Sequence, residues 1–220
     1  MSAKGIQKKI DNAHKKIGKT LGYTYGIYRP LTSNVDVISD RNLIKYVKAT
    51  VTLNDNYSSN VAWQIPQWTL YTESAELQIG DYLFSEEEGR TFFVLNKQPH
   101  QPVIAIEAND RIDIQSVGYS NTGNGFAPAQ ATFIAKNLPC YLTYGTGSVG
   151  GNLPGGGVGA IPFRTMTVYT ALPKESMMLG ETLLDTAGFK GDVTGYDYNS
   201  VGCGVRILAA ERGFPSGSQG

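Results

Sequence analysis

The chain has 220 residues, 41% of them apolar and 17% charged, and its formal net charge at pH 7 is zero. That length accommodates one large β domain or two small ones with a packed core, and no stretch approaches the ~18 apolar residues of a membrane-spanning helix. Two cysteines, Cys140 and Cys203, make no disulfide framework, and a lysine-bearing N-terminus without an apolar segment is no secretory signal, so a cytosolic, reducing place of synthesis is expected.

Residues 1–22 form the first unit. The apolar positions Ile6, Ile10, Ala13, Ile17 and Leu21 are spaced 4, 3, 4 and 4 apart, which predicts a helix over 3–21 with one apolar stripe. Gly22 can close its C-terminal end, while Gly5 and Gly18 each weaken it by roughly 1 kcal/mol. Such a helix is marginal alone and should be held by docking, either on its own domain or on a neighbouring subunit. Residues 1–21 hold six lysines against one acid, Asp11, for a local charge of +5, which leaves −5 on the other 199 residues. A basic arm on an acidic body can meet nucleic acid, an anionic surface or a second copy's acidic body. The candidate interface comprises the stripe with Lys8, Lys9, Lys15 and Lys16.

A first β module is expected over 23–117. It opens with a strand at 23–28, closed by Arg29-Pro30, followed by a loop over 31–44. Val47, Ala49, Val51 and Leu53 alternate with polar residues, as in a half-buried antiparallel strand. After the polar loop 54–60, short runs rich in Val, Ile, Phe and Tyr are parted by Glu88-Gly89, by a proline loop and by Asn109-Asp110, which reads as an antiparallel meander. Glu86-Glu87-Glu88 at a hairpin tip reads as a solvated charge run. Glu107 and Asp113, within strands, are expected to face solvent or a subunit contact.

Residues 118–162 read as linker strands and a glycine-rich loop. Gly145–Gly159 holds eight glycines in fifteen residues, which points to a long flexible loop with Gly147, Gly151 and Gly156 as contact points. A second β module follows over 163–212, then a frayed tail over 213–220.

The second module echoes the first about a hundred residues on. Leu70-Tyr71 is matched by Val168-Tyr169, Gly80-Asp81-Tyr82-Leu83 by Gly180-Glu181-Thr182-Leu183, Gly89 by Gly188 and Val94 by Val193, with a looser echo of Ile106-Glu107 in Ala210-Glu211. Either one module is duplicated, or the shared Gly-acid-x-Leu is simply a good turn into a strand. The fold class is thus mainly β: an N-terminal helix and two small antiparallel modules, barrel- or sandwich-like, with the marks of an internal duplication.

Catalytic patterns are missing from the residues. Gly145-x-Gly147-x-x-Gly150 fits a dinucleotide pattern but runs into more glycine and Pro154 instead of a helix. His14 and His100 have no cysteine or carboxylate at metal-ligand spacing, and there is no Gly-x-Ser-x-Gly elbow. No cofactor, metal or enzyme activity is expected. A carboxylate pair drawn from separated strands stays open as an alternative. Cys140 and Cys203 read as buried small hydrophobes. The helix lysines could touch phosphate, although a solvated face is the simpler reading.

Three stretches resemble tailed-bacteriophage virion proteins of the head–tail junction. They are 3–30, with Tyr25-x-x-Tyr28-Arg29-Pro30; 68–114, with Gly80-Asp81-Tyr82-Leu83, Thr91-Phe92-Phe93-Val94 and Pro102-Val103-Ile104-Ala105-Ile106; and the late module ending at 205–213. The resemblance covers most of the chain in outline and excludes Gly145–Gly159. It implies a non-enzymatic neck, collar or head-completion subunit that forms a ring with copies of itself. The implied partners are portal or adaptor and tail proteins, with non-specific contact to packaged DNA and none to membrane. The implied location is the virion. The alternative is a tail-tip or baseplate module that binds a receptor or carbohydrate.

Overall fold

The structure, a computed structural model, describes residues 3–30, 36–53, 65–72, 76–99, 101–116, 119–121, 126–128, 132–152, 158–171, 182–197 and 205–211. Among these, one α-helix, α1 (Ala3–Leu21), precedes the strands β1 (Tyr23–Tyr28), β2 (Leu43–Leu53, entered through a 3-10 turn at Asp40–Asn42), β3 (Trp68–Thr72), β4 (Tyr82–Ser85), β5 (Arg90–Asn96), β6 (Val103–Glu107) and β7 (Asp110–Ser116). Then come β8 (Tyr119–Asn121), β9 (Phe126–Pro128), β10 (Thr132–Asn152), β11 (Val158–Thr170), β12 (Thr182–Asp185), β13 (Lys190–Asp197) and β14 (Val205–Glu211). The helix and the first strand have the bounds that the sequence predicts. The loop expected at 31–44 falls partly outside the described residues and the one expected at 54–60 lies wholly outside them, and β2 starts three residues before Tyr46.

The strands close into two six-stranded antiparallel barrels, ordered β1-β2-β3-β6-β5-β4 and β7-β10-β11-β14-β13-β12. Each strand of the first has its counterpart in the second, and the registers agree. Leu83 pairs with Ile27 and Phe92 as Leu183 pairs with Ile114 and Gly191. Leu70 lies between Val51 and Val103 as Val168 lies between Leu142 and Ile207. The same bulge recurs, between Val94 and Asn96 and between Val193 and Gly195. Gly89 and Gly188, at φ 66° and 85°, make the equivalent turns. The sequence echo is therefore a repeated topology, and the Ile106-Glu107 match to Ala210-Glu211 is in register.

The module boundaries differ from those expected. The first barrel ends at Glu107, and β7, assigned by sequence to the first module, opens the second. The switch occurs in two residues. Ala108 N donates to Thr91 O of the first barrel at 2.8 Å, whereas Asn109 N donates to Cys140 O of the second at 3.0 Å. The Asn109 amide also exchanges hydrogen bonds with Leu142, donating to its O at 2.9 Å and accepting from its N at 2.7 Å. A two-residue connection reads as an ordinary hairpin turn, so local signals could not reveal the change of barrel. Within the linker region expected at 118–162, β8 and β9 pair from Tyr119↔Pro128 to Asn121↔Phe126. The predicted loop Gly145–Gly159 is strand through Asn152 and again from Val158, paired from Gly145↔Thr165 to Asn152↔Val158; its tip, with Gly156, lies outside the described residues. Glycine lowers strand propensity without forbidding it, and main-chain pairing across the hairpin overrides composition here.

The lumen of the first barrel holds Tyr25, Ile27, Val47, Ala49, Leu70, Leu83, Phe92, Val94, Val103 and Ala105. The alternate residues Tyr82, Phe93, Leu95, Ile104 and Ile106 join the lumen residues of the second barrel, such as Ile114, Leu138, Cys140, Val168 and Leu183, in one cluster. Strands β5 and β6 are thus buried on both faces, which explains their unbroken apolar runs.

Candidate assembly surface

Helix α1 packs on β2 and β3 of the first barrel, and it does so with an unexpected face. Gln7, Asp11 and His14 are half-buried and Gly18 is fully buried. These positions, spaced 4, 3 and 4, lie about 100° around the helix from the apolar stripe, one residue's rotation. Gly18 is the point of closest approach: a Cβ there would stand 2.6 Å from Tyr71 O and 2.8 Å from Lys48 O. One turn on, a Cβ on Gly22 would stand 2.4 Å from Ala49 O, and Gly22 N closes the helix on Gly18 O at 2.9 Å. Small residues at 18 and 22 were the sequence signal for this face. The composition of a docked face more often shows as apolar residues, and the stripe masked it. His14 stacks edge-on against Tyr71, centroids 5.3 Å apart, and Gln7 Nε2 donates to Asp11 Oδ1 at 2.8 Å. On the strand pair beneath, Thr50 Oγ1 is buried without a hydrogen-bond partner.

The stripe itself is left uncovered. Ile6, Ile17 and Leu21 are 42, 37 and 69% exposed, Ala13 is exposed, and only Ile10 is half-buried. Tyr23, directly after Gly22, is 50% exposed, and β2 displays Ile44 and Tyr46 outward. The lysines take the remaining faces: Lys8, Lys9 and Lys16 are exposed, and Lys15 is half-buried. The nine sequence-predicted interface residues therefore share one helix but divide into an apolar flank and a basic flank on either side of the docked face.

The opposite charge is partly committed to the fold. Arg29, of the Tyr-x-x-Tyr-Arg-Pro stretch, grips buried Asp81 with Nε–Oδ1 at 2.7 Å and Nη2–Oδ2 at 2.8 Å, and Asp81 Oδ2 also accepts Gln78 N at 2.7 Å. Hydrogen bonding to Asp81 raises the Arg29 pKa further. Glu107 receives Arg90 in the same two-point manner, at 2.7 and 2.9 Å, while that guanidinium lies over the Trp68 and Phe92 rings. Neither Glu107 nor Asp113, which accepts Asn137 N at 2.7 Å, is free in the sense expected for strand carboxylates at a subunit contact. The run 86–88 is not merely solvated: Glu88 takes the Tyr25 hydroxyl and Glu87 accepts Thr24 N at 3.4 Å, tying the β4–β5 turn to β1. Burial, then Glu88, pushes the Tyr25 phenol up. In the second barrel Tyr144 donates to Asp185 and is raised by burial and that contact.

A groove of about 330 Å³ separates the first half of α1 from the β5–β6 loop. Its charged lining groups are engaged within the chain: Lys97 Nζ donates to Leu77 O at 2.7 Å, and Asp11 receives Gln7. Among the described residues no group of three or more His, Cys, Asp or Glu is placed to hold a metal ion, and no helix is long and apolar enough to cross a membrane. Cys140 is buried, its thiol pushed well up by burial and then by Asp110 and Asp185. Cys203 and His100 lie outside the described residues. Comparison with protein-family models, curated proteins and solved structures finds no match to this chain.

Proposed function

We propose that this chain is a structural subunit of a tailed-bacteriophage virion, a member of an oligomeric ring in the neck between portal and tail, with no catalytic role. One observation carries the reading: α1 docks on its own barrel with Gln7, Asp11, His14 and Gly18 and leaves Ile6, Ile17 and Leu21 in water. An apolar stripe on a helix whose other face is already docked has a use only if a second surface covers it. The flanking lysines match the net negative charge of the rest of the chain, which suits a head-to-tail contact between copies. The resemblance of 3–30 and 68–114 to head–tail junction proteins names the setting, with portal or adaptor and tail proteins as neighbours in the virion.

Sedimentation and negative-stain imaging of the purified chain, alone and with portal rings, test the reading. Ring-shaped oligomers are expected, and Ile17→Asp with Leu21→Asp should dissociate them while leaving the β-sheet circular dichroism intact. A chain that stays monomeric at high concentration and beside portal rings would overturn it.

A further inference from the structure

The longest strand pair among the described residues, β10 with β11, extends past its own barrel. β10 pairs with β7 only over Thr132–Cys140, and β11 pairs with β14 only over Thr165–Thr170. Beyond Gly145↔Thr165, seven further pairs, Thr146↔Arg164 to Asn152↔Val158, have no third strand on either side among the described residues. At about 3.3 Å per residue that is a two-stranded ribbon ~23 Å long. In the first barrel the counterpart of Tyr144↔Met166 is Leu53↔Trp68, where β3 begins. The ribbon is therefore an addition to the second copy of the repeated unit.

An isolated two-stranded ribbon is marginal in water, and among the described residues the outer edge of each arm has no strand to receive its N–H and C=O groups. We infer that neighbouring copies complete it, the β11 edge of one ribbon pairing with the β10 edge of the next. This rests on the assembly reading above and specifies the surface it uses. Three observations select a second copy as the occupant. Among the described residues both edges lack a neighbouring strand along the same seven pairs, so one ribbon carries two complementary, equally long edges. In copies related by rotation, ribbons that point the same way place β11 beside the neighbour's β10 in antiparallel sense, as in the rest of the fold. Arg164, at the base, is the one charged side chain on the two arms, and residues 141–163 contain none and no histidine, so beyond that base identical ribbons meet without like-charge repulsion. Pro162 has no N–H, so the ladder lacks one donor there. A ring of such ribbons is a closed sheet, which removes the free edges that would otherwise drive aggregation.

Hydrogen exchange on the unmodified chain, as dilute monomer and as assembled ring, reads the contact directly. The amides of 146–152 and 158–164 that point away from the partner arm should slow by at least about tenfold on assembly. A second variant joins Gly145 to Thr165 through an Asn-Gly turn, leaving every strand of the barrel in place. It should fold, with its barrel amides protected as before, and lose the ring. Rings formed equally well without the ribbon, or ribbon amides that exchange as fast in the ring as in the monomer, would overturn the inference while leaving the assembly reading standing. An unmodified chain that never assembles would overturn both.

Discussion

Tyr82 and Ala171, one from each barrel, exchange hydrogen bonds at a buried site: the Tyr82 hydroxyl donates to Ala171 O at 2.9 Å and accepts from Ala171 N at 3.1 Å. Thr170 Oγ1 lies 2.9 Å from the same hydroxyl and reaches Pro139 O at 3.0 Å. One phenol from β4 thereby satisfies main-chain groups at the end of β11. With the shared apolar cluster around it, this contact makes the two repeats one folding unit.

Tyr82→Phe keeps the ring and removes the hydroxyl, leaving buried Ala171 groups unpaired. A loss of about 1–3 kcal/mol is expected, read by urea unfolding of the monomer. A change of only a few tenths would mean that water replaces the phenol and the joint is open.

Arg29→Ala strands the Asp81 carboxylate, 1% exposed, with only the Gln78 amide for company. Removing one partner of a buried pair costs about 3–5 kcal/mol. Asp81→Asn in the same background should recover part of it, since the stranded charge is what costs most. Stability of the two variants by chemical denaturation gives the sign.

Gly18→Ala separates two opposed effects. Intrinsic propensity favours alanine by about 1 kcal/mol, but its Cβ would collide with the main-chain oxygens of Tyr71 and Lys48. Destabilisation, with loss of the ring-current shift of His14 against Tyr71 in proton NMR, is expected. A stabilised protein with His14 unshifted in the parent would show the helix undocked.

Alkaline pH should unfold the chain. Burial raises Cys140 above its ordinary 9.0 and, with Glu88, Tyr25 above its ordinary 10.0. Once unfolded, these groups lose protons at lower pH than when folded. Their contribution is whole below about pH 9 and declines as pH rises, by about 1.4 kcal/mol per pH unit for each group between its unfolded and folded values. Cys140→Ala should flatten the fall of stability between pH 9 and 10, and peptide mapping should find Cys140 unalkylated in the native protein. A stability that is level to pH 11 would contradict this.

Much of the architecture was legible in the residues because it is local. The 4-3-4-4 spacing set the helix at 3–21, turn residues marked the meander, and the echo of Leu70, Leu83, Gly89 and Val94 in Val168, Leu183, Gly188 and Val193 located the repeat. Each is a short-range pattern that backbone geometry dictates wherever the segment ends up. The chemistry of α1 was equally legible: an apolar stripe and a set of lysines on one helix.

Tertiary structure alone decided which face of that helix is used. Periodicity reports that a stripe wants burial and says nothing about what covers it; here the close approach at Gly18, possible only without a Cβ, turned the stripe outward. The same holds for the change of barrel between Ala108 and Asn109 and for the pairing of the glycine-rich arms. The first depends on hydrogen bonds to Thr91 and Cys140, 17 and 31 positions away, and the second on main-chain pairing across a hairpin; main-chain groups, identical in every residue, leave no mark on composition.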